Sequence, residues 1–244
     1  MAKENYIFGI HPVMEAIKSG KEIDKVLIQS DLRNAQITTL RRMIKDYSIS
    51  SQNIPQAKLN HSYKKNHQGV VALLSPIEFQ PYQELLAKAY ESGKTPLFLI
   101  LDRISDVGNF GAICRTAECC GVDGIIVPVK NSAQINAETI KRSSGALLNV
   151  SISRERDLAK VMEDLQQSGL QVVACTEKGE EEYFETDFSK PTALIMGSEE
   201  DGVNSHLFKG SDKRLNIPMQ GKTESLNVSV ATGVILYEVM RQRR

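Results

Sequence analysis

The stretch PLFLILDRISDVGNFGAICRTA, residues 96–117, joins two sequence patterns at a polar loop. Its first seven residues form an almost continuous apolar run, which is typical of a β-strand covered on both faces. A glycine-bearing loop follows, and residues 109–120 then carry apolar side chains at helical spacing. A buried strand that leads through a loop into a helix is the repeating unit of a parallel α/β sheet.

The same unit recurs along the rest of the chain. Five more apolar runs are predicted strands: GIIVPV (124–129), LLNVSIS (147–153), LQVVACT (170–176), TALIMG (192–197) and RLNIPM (214–219). Helical patterns at residues 136–144, 157–168 and 226–241 separate or follow them. The sequence therefore predicts an α/β domain over residues 96–244, with a mostly parallel sheet and helices on both sides.

The first third of the chain predicts a small α/β domain over residues 1–76. A helix begins at His11-Pro12 and ends at Gly20, and a second helix covers residues 34–47. Predicted strands cover residues 25–29 and 69–74. The basic loop HSYKKNHQG (61–69) suits phosphate contacts and base stacking, and a plain solvated loop is the alternative. Residues 77–95 are predicted to form a linker helix.

The composition is that of a globular protein: 244 residues, 41% hydrophobic and 25% charged. Residues 1–5 are polar and no apolar signal-peptide segment follows them, and no apolar run has transmembrane length. We therefore expect a cytoplasmic protein with no membrane partner. The four cysteines form no C-x-x-C pair and the four histidines lack metal-ligand spacing, so we expect reduced, mostly buried thiols and no bound metal.

The net charge of zero conceals an uneven distribution. Residues 1–76 contain 11 lysines and arginines against 6 aspartates and glutamates, a net +5. Residues 77–244 contain 19 against 24, a net −5. Such an asymmetry suggests that the first domain faces a polyanion, and an excess that serves only solubility is the alternative.

Three predicted strands end in unusual polar segments, at the edge where parallel sheets bind ligands. These segments are residues 101–117, LIMGSEEDGV (194–203) and IPMQGKTESLNVSV (217–230). Gly108-x-x-Gly111 is only part of a dinucleotide fingerprint, whose acid about 20 residues later is missing. Arg115 either binds an anion or pairs with a surface acid, and GSEEDG alone is compatible with a plain turn. Ser225 is a candidate N-cap for the last helix.

Together the three segments resemble the motifs of the SpoU-type RNA ribose 2′-O-methyltransferases, part of the knotted SPOUT superfamily. The matching residues are 106–112 with 115–117, 197–199 with Gly202, and 217–219 with Gly221 and 225–229. The resemblance spans residues 96–242. FGIHPVMEAI (8–17) and HQGVVAL (67–73) also resemble the L30e-like substrate-binding domain of the ribosomal-RNA guanosine methylases in this family. Two residues depart from the pattern, because Val107 stands where proline is usual and Glu200 where glycine is frequent.

The resemblance implies a deep trefoil knot in the C-terminal part of the sheet, a bound S-adenosyl-L-methionine and no metal. It assigns cofactor contacts to Thr176, Gly197, Ile217, Met219 and Leu226. Ile217 and Leu226 would enclose the adenine, and Gly197 would permit a close backbone approach. The catalytic candidates are Asn109, Arg115, Glu199, Ser225 and Asn227.

The implied reaction is an in-line attack by a ribose 2′-oxygen on the activated methyl group, for which the enzyme supplies alignment and a route for the proton. Arginine keeps its proton in almost any setting. We therefore interpret Arg115 as a group that stabilises negative charge on the 2′-oxygen and binds the adjacent phosphate. Glu199 would orient Arg115 or Asn109. Solvent and the substrate phosphate are both candidate proton acceptors.

The resemblance also implies the partners. The expected substrate is a guanosine of 23S ribosomal RNA, which would place the protein in rRNA processing. The same reaction on tRNA and a non-catalytic RNA-binding protein are the alternatives. Relatives pair through their last helix, which here has Ser229, Gly233, Tyr237 and Met240 at helical spacing, so a homodimer is expected.

Overall fold

The computed structural model describes residues 6–244. Residues 1–5, for which no signal peptide is predicted, lie outside the described residues. The chain divides into two compact units. The first runs to Glu78 and includes Gln134–Asn136, and the second comprises Phe79–Ala133 and Ala137–Arg244.

The first unit is a small α/β domain. Its elements are β1 (Tyr6–Phe8), α1 (Ile10–Lys18), β2 (Ile23–Gln29), α2 (Ala35–Asp46), β3 (Ser50–Ile54), α3 (Gln56–Ser62) and β4 (Val70–Leu74). Among the described residues the strand order is β1-β4-β2-β3, with β4 antiparallel to both β1 and β2 and with β2 parallel to β3. The elements β1, β3 and α3 were not predicted, because they are short and β3 has the polar sequence SSQNI.

The second unit has alternating helices and strands. They are α4 (Tyr82–Glu91), β5 (Leu97–Leu101), α5 (Val107–Cys119), β6 (Gly124–Pro128), α6 (Ala137–Arg142), β7 (Ile152–Glu155), α7 (Leu158–Gln167), β8 (Gln171–Cys175), β9 (Glu181–Glu182), β10 (Thr192–Met196), α8 (Ser205–Gly210), β11 (Lys213–Asn216) and α9 (Val228–Gln242). Within the described chain these strands form a seven-stranded sheet in the order β7-β6-β5-β10-β8-β11-β9, with every pairing parallel. The predicted fold class is confirmed. The trefoil knot stays a prediction of the resemblance.

Continuous apolar runs form the central strands, as the sequence predicts. Every residue of β5 and of β10 is buried. The helix predicted within residues 77–95 is α4, which packs with α7 and α8 on one face of the sheet through a shared apolar cluster. Helices α5 and α9 pack against each other. The last helix therefore lies beside α5, the helix that follows the first polar loop.

Two predicted strands were wrong in their bounds. The run 147–153 was predicted to be a strand, but Ala146–Leu148 form a 3₁₀ turn and β7 begins at Ile152. In this turn Leu147 is buried and Leu148 is exposed, and neither leucine belongs to a strand. The run 214–219 stops being a strand after Asn216, which leaves residues 217–219 in a loop at the strand end.

The register of the sheet places three strand ends side by side. Met196 of β10 lies opposite Cys175 of β8, and Leu215 of β11 lies opposite the same cysteine. The loops that follow β8, β10 and β11 therefore leave the sheet at one edge, where ligands of parallel sheets bind.

The last helix is held at its far end by Arg243. Its guanidinium donates hydrogen bonds to the carbonyl oxygens of Thr95, Pro96, Phe188 and Lys190 at 2.7–3.3 Å. Partial burial lowers the pKa of Arg243 from its ordinary value, and the hydrogen bonds to carbonyl oxygens compensate for the lost hydration of its charge.

All four cysteines, which lie within the described residues, are free thiols. Cys114 and Cys175 are buried, Cys120 is half-buried and Cys119 is exposed. Burial raises the pKa of Cys114 to about 12 and that of Cys120 to about 11. These two thiols therefore stay protonated near neutral pH. No helix within residues 6–244 is both long and apolar enough to cross a membrane.

Candidate functional site

A cleft of about 460 Å³ lies at the carboxyl ends of β8, β10 and β11. Eight of the ten predicted site residues, all of them in the described chain, line this cleft: Thr176, Gly197, Glu199, Ile217, Met219, Ser225, Leu226 and Asn227. Segments far apart in the sequence therefore form one wall. The two predicted residues outside the lining are Asn109 and Arg115, both on α5.

The side chain of Asn227 connects the three polar segments. Its Nδ2 donates to Oδ1 of Asn109 at 3.0 Å and to Oε1 of Glu199 at 2.6 Å. Its Oδ1 accepts from the backbone N and the Oγ of Ser229, at 2.9 and 2.6 Å. Both ends of the amide are thus bonded, which fixes its orientation. The network brings Asn109 to the rim of the cleft although the lining does not include it.

Asn227 is also the N-cap of α9. Ser225 was considered for this role and that interpretation was wrong, because the helix begins at Val228, two residues later than predicted. Asparagine is as effective an N-cap as serine. Ser225 instead lies in the loop before the cap, where it is exposed and lines the cleft.

Asn109 is positioned by the first turn of α5. The carboxylate of Asp106 caps this helix and accepts from the backbone N of Asn109 at 2.7 Å. Val107 is the first helical residue, a position where proline fits because that N–H has no partner in the helix. Helix α5 therefore begins at Val107, at the position where proline is usual, and the substitution does not move the start of the helix.

Gly197 lies where the chain passes close to itself. A Cβ on this residue would be 2.2 Å from the carbonyl carbon of Gly202 and from the backbone N of Val203. Ser198 and Gly202 form a bridge with backbone N–O distances of 2.9 and 3.2 Å, which closes the loop. Gly202 adopts the left-handed φ of +67°, and Glu200 is not among the described residues with positive φ. A non-glycine residue at position 200 is therefore not strained.

Arg103 holds the same loop and was not among the residues predicted from the sequence. It has a φ of +60°, which is uncommon for a residue with a side chain. Its guanidinium bonds to Asp102 at 3.2 Å, to Asp201 at 2.8 Å and to the carbonyl oxygen of Gly202 at 3.0 Å. The bonds to Asp102 are the main cause of its raised pKa. The signal available in the sequence was the charge pair Asp102-Arg103 immediately after a buried strand.

Arg115 is not part of the network around Asn227. It follows Asn109 by six residues, about 240° around the helix, and its side chain is exposed. Nη1 donates to Oγ of Ser144 at 3.3 Å. No carboxylate within residues 6–244 pairs with this guanidinium. Of the two groups that Glu199 was expected to orient, Arg115 has no bond to it, whereas Asn109 is linked to it through Asn227. Glu199 is bonded to Asn227.

The cleft combines an apolar wall with negative charge. The apolar side chains include Ile217, Met219 and Leu226. Among the described lining residues are five carboxylates, Glu177, Glu199, Glu200, Asp201 and Glu224, against the single lysine Lys178, a formal charge of −4. Burial raises the pKa of Cys175, so this thiol contributes a neutral part of the wall. Such a cleft suits a ligand with a flat apolar group and a positive charge.

Metal ligands do not account for the acidic lining. Within the described residues, no group of three His, Cys, Asp or Glu side chains has an arrangement that would hold a metal ion. The carboxylates of the cleft are dispersed over three loops, and Glu199 and Asp201 are already bonded to Asn227 and Arg103.

Sequence profiles assign both units. The profile of the SpoU rRNA methylase family matches residues 96–237, more than half of the chain. The chain belongs to the SpoU rRNA methylase family. A second profile, for the substrate-binding domain of RNA 2′-O ribose methyltransferases, matches residues 6–80. This SpoU methylase is therefore an RNA methyltransferase with an N-terminal substrate-binding domain, as the resemblance implied.

Individual relatives agree with the profiles. A Staphylococcus saprophyticus protein, provisionally named a TrmH family tRNA/rRNA methyltransferase, is 35% identical over 99% of this chain and 97% of its own length. The AdoMet-bound rRNA methyltransferase of Sinorhizobium meliloti is 25% identical, with a TM-score of 0.61 over 97% of this chain and 86% of that one. The A. aeolicus TrmH/SpoU tRNA modifying enzyme is 33% identical, with a TM-score of 0.57 over 66% of this chain and 83% of that one.

Proposed function

We propose that this SpoU methylase methylates the ribose 2′-oxygen of a guanosine in 23S ribosomal RNA. The observation that carries the proposal is the network in which Asn227 joins Asn109 and Glu199 at the rim of the cleft. It brings the polar residues of three separate strand ends to one place, next to a cleft that suits a cationic ligand.

The residues of the cleft fit S-adenosylmethionine. Its adenine is flat and apolar enough to lie between Ile217 and Leu226, with Met219 and Thr176 at the border. Its positive charge is compatible with the excess of carboxylates in the lining. Gly197 contributes by letting the loop 198–202 fold back closely. When bound, the cofactor supplies an activated methyl group on a positively charged sulfur.

The chain's own residues would position the ribose. The Oδ1 of Asn109 accepts from Asn227, and no acceptor among the described residues bonds to its Nδ2. That Nδ2 is available as a donor to a substrate oxygen. Glu199 and Asn227 would hold this amide in place, and Ser225, which lines the cleft, would contact the same substrate group.

Arg115 is assigned the stabilisation of negative charge. Within residues 6–244 its guanidinium donates a single side-chain hydrogen bond, of 3.3 Å to the uncharged Oγ of Ser144, which leaves the planar cation available to an RNA phosphate. The acidic cleft would repel a phosphate, whereas Arg115 lies outside its lining. The 2′-oxygen carries growing negative charge as its proton leaves, and a preorganised cation favours that change.

Ribosomal RNA is the proposed substrate because an rRNA methyltransferase aligns with a larger share of this chain than a tRNA modifying enzyme does. The S. meliloti rRNA methyltransferase aligns with 97% of this chain, including the substrate-binding unit, whereas the A. aeolicus tRNA modifying enzyme aligns with 66%. We further propose that residues 1–76 bind the RNA, that residues 96–244 catalyse methyl transfer and that residues 77–95 link the two parts. The proposed location of the protein is the cytoplasm. Incubation with labelled cofactor and either 23S rRNA or tRNA tests the choice. Label in 23S rRNA supports it, and label in tRNA alone contradicts it.

We also propose a homodimer formed through the last helix. Within the predicted stripe, Gly233 faces α5, because a Cβ added to it would lie 3.8 Å from Cγ2 of Thr116. Tyr237 is 58% exposed, and Val230, two turns earlier on the same face, is 52% exposed. These two side chains give α9 an exposed apolar stripe that a second copy would cover.

The assembly is expected to depend on Tyr237. Sedimentation at micromolar concentration should give twice the 27.1 kDa mass of the chain. Tyr237→Asp should shift the protein toward the monomer, because it places charge in an apolar contact. Tyr47→Asp, at a tyrosine that is 59% exposed on the first unit, should leave the dimer intact. A wild-type monomer would contradict the proposal.

A further inference from the structure

The two faces of the sheet in the first unit are covered unequally. On one face α1 and α2 pack over the sheet through a large cluster that includes Val13, Leu40 and Val26. On the other face the short helix α3 contributes Leu59, which packs on Leu27, Ile54 and Val71. Helix α3 therefore covers only part of this second face.

The strand register identifies the part that stays open. Tyr6 lies opposite Leu73, Leu73 opposite Lys25, and Lys25 opposite Ser50. Directly opposed residues point to the same side of a sheet, so this row crosses one face of all four described strands. None of these residues is buried, and Tyr6 is 42% exposed. Phe8 belongs to the same face, because it is two residues from Tyr6.

Three aromatic rings gather at this end of the face. The ring centroids of Tyr6 and Tyr63 are 5.2 Å apart with an interplanar angle of 64°, and those of Phe8 and Tyr63 are 6.1 Å apart at 63°. Tyr63 thus meets both other rings edge to face, and the rings of Tyr6 and Phe8 are tilted by 37° at 6.3 Å. No two of these rings stack in parallel, which leaves ring faces available to another π-system. The Nζ of Lys65 lies 5.6 Å from the centroid of Phe8.

The charged side chains at this face are positive, as binding to the phosphates of a nucleic acid requires. Lys25 belongs to the row of opposed residues, and the Nζ of Lys65 lies over the ring of Phe8. Residues 1–76 as a whole have a net charge of +5, from 11 basic and 6 acidic residues. Aromatic rings on an open sheet face, flanked by lysines, are a known arrangement for stacking unpaired bases while the lysines bind the backbone.

We propose that this open face, defined by Tyr6, Phe8, Tyr63, Lys25 and Lys65, is a stacking platform for unpaired bases of the RNA substrate. The inference rests on the proposed function only in taking RNA as the partner. A duplex keeps its base faces stacked on each other, so the platform selects single-stranded segments such as loops and bulges. The substrate-binding unit would thereby select the shape of the RNA around the target nucleotide.

Binding of a single-stranded RNA of about ten nucleotides to the full chain tests the platform. Tyr6→Ala should weaken binding about tenfold to a hundredfold, since loss of one stacked base has roughly that effect. Tyr6→Phe keeps the ring and should bind normally, whereas Tyr6→Leu keeps an apolar side chain without a π-face and should bind weakly. Tyr47→Ala, which removes a tyrosine that is more exposed but outside the ring cluster, should have no effect.

Several outcomes would overturn the inference. One is normal binding by Tyr6→Leu, and another is a duplex of the same length that binds as tightly as the single strand. If Tyr6→Ala does not fold, Lys65→Gln provides the second test, with weaker binding expected and unchanged binding contradicting the platform. S-adenosylmethionine affinity is measured in parallel and should not change. A wild-type protein that binds single strands through Tyr6 but transfers no methyl group contradicts the proposed function and supports the platform.

Discussion

Arg115→Ala is expected to slow methyl transfer by roughly 10²–10³-fold, the usual effect of removing one preorganised charged donor. The cofactor affinity should stay nearly unchanged, because Arg115 does not line the cleft. Single-turnover methylation of the cognate RNA measures the first quantity, and calorimetric titration with S-adenosylmethionine measures the second. The combination separates a role in the reaction from a general loss of structure.

Two further variants sharpen this test. Arg115→Lys should recover little activity, since an ammonium group does not reproduce the planar fork that binds phosphate at two points. Arg142→Ala is the matched control, because Arg142 is also an exposed helical arginine and pairs with Glu138 four residues away. Its loss should cost at most about 1 kcal/mol of stability and leave turnover intact. Near-normal turnover in Arg115→Ala would remove this residue from the mechanism.

Gly197→Ala is expected to have the second largest effect. The added Cβ would lie 2.2 Å from backbone atoms of residues 202 and 203, so the loop 198–202 has to move. Overpacking of this kind typically lowers the free energy of unfolding by about 1–3 kcal/mol. The same movement displaces Glu199 from Asn227, so the cofactor affinity and the methylation rate should both fall.

Denaturant unfolding and calorimetric cofactor binding measure these two consequences. Gly233→Ala is the control, because its Cβ would meet only ordinary van der Waals contact with Thr116 inside a helix. That substitution should leave stability equal or slightly higher, as alanine favours the helix. Unchanged cofactor affinity in Gly197→Ala would show that the closed loop is not needed for the site.

The sequence was sufficient for the fold class because the deciding signal is local. The central strands are continuous apolar runs, and the long helices have an apolar periodicity that is supported in α7 by the side-chain cap Asp157. The predicted bounds of strands were wrong where the local sequence pattern conflicts with tertiary packing. Residues 147–153 have a strand-like composition, yet the chain turns there and buries Leu147 alone. The two-residue strand β9 has no apolar pattern to detect.

The sequence predicted a set of residues, most of which the structure brings to one cleft, but it did not predict the contacts among them. Resemblance of the motifs selected the cleft residues, whereas the bond between Asn227 and Asn109 joins positions 118 residues apart. No periodicity encodes such a contact, because it depends on how α9 returns to α5. For the same reason Ser225 was a candidate for the helix cap that Asn227 forms, and the bond between Glu199 and Asn227 was not predicted. Arg103 was missed because its role depends on a backbone conformation that its sequence neighbours do not reveal.

The proposed reaction places the methyl group on a ribose oxygen of RNA. The most direct measurement uses the full chain, S-adenosylmethionine with a labelled methyl group and 23S rRNA, followed by complete alkaline hydrolysis. Alkali cleaves RNA through the free 2′-hydroxyl, so a 2′-O-methylated ribose protects the adjoining phosphodiester, whereas methylation of a base does not. The account predicts label in an alkali-resistant dinucleotide whose methylated residue is guanosine. Label confined to mononucleotides, or absent from RNA, would contradict it.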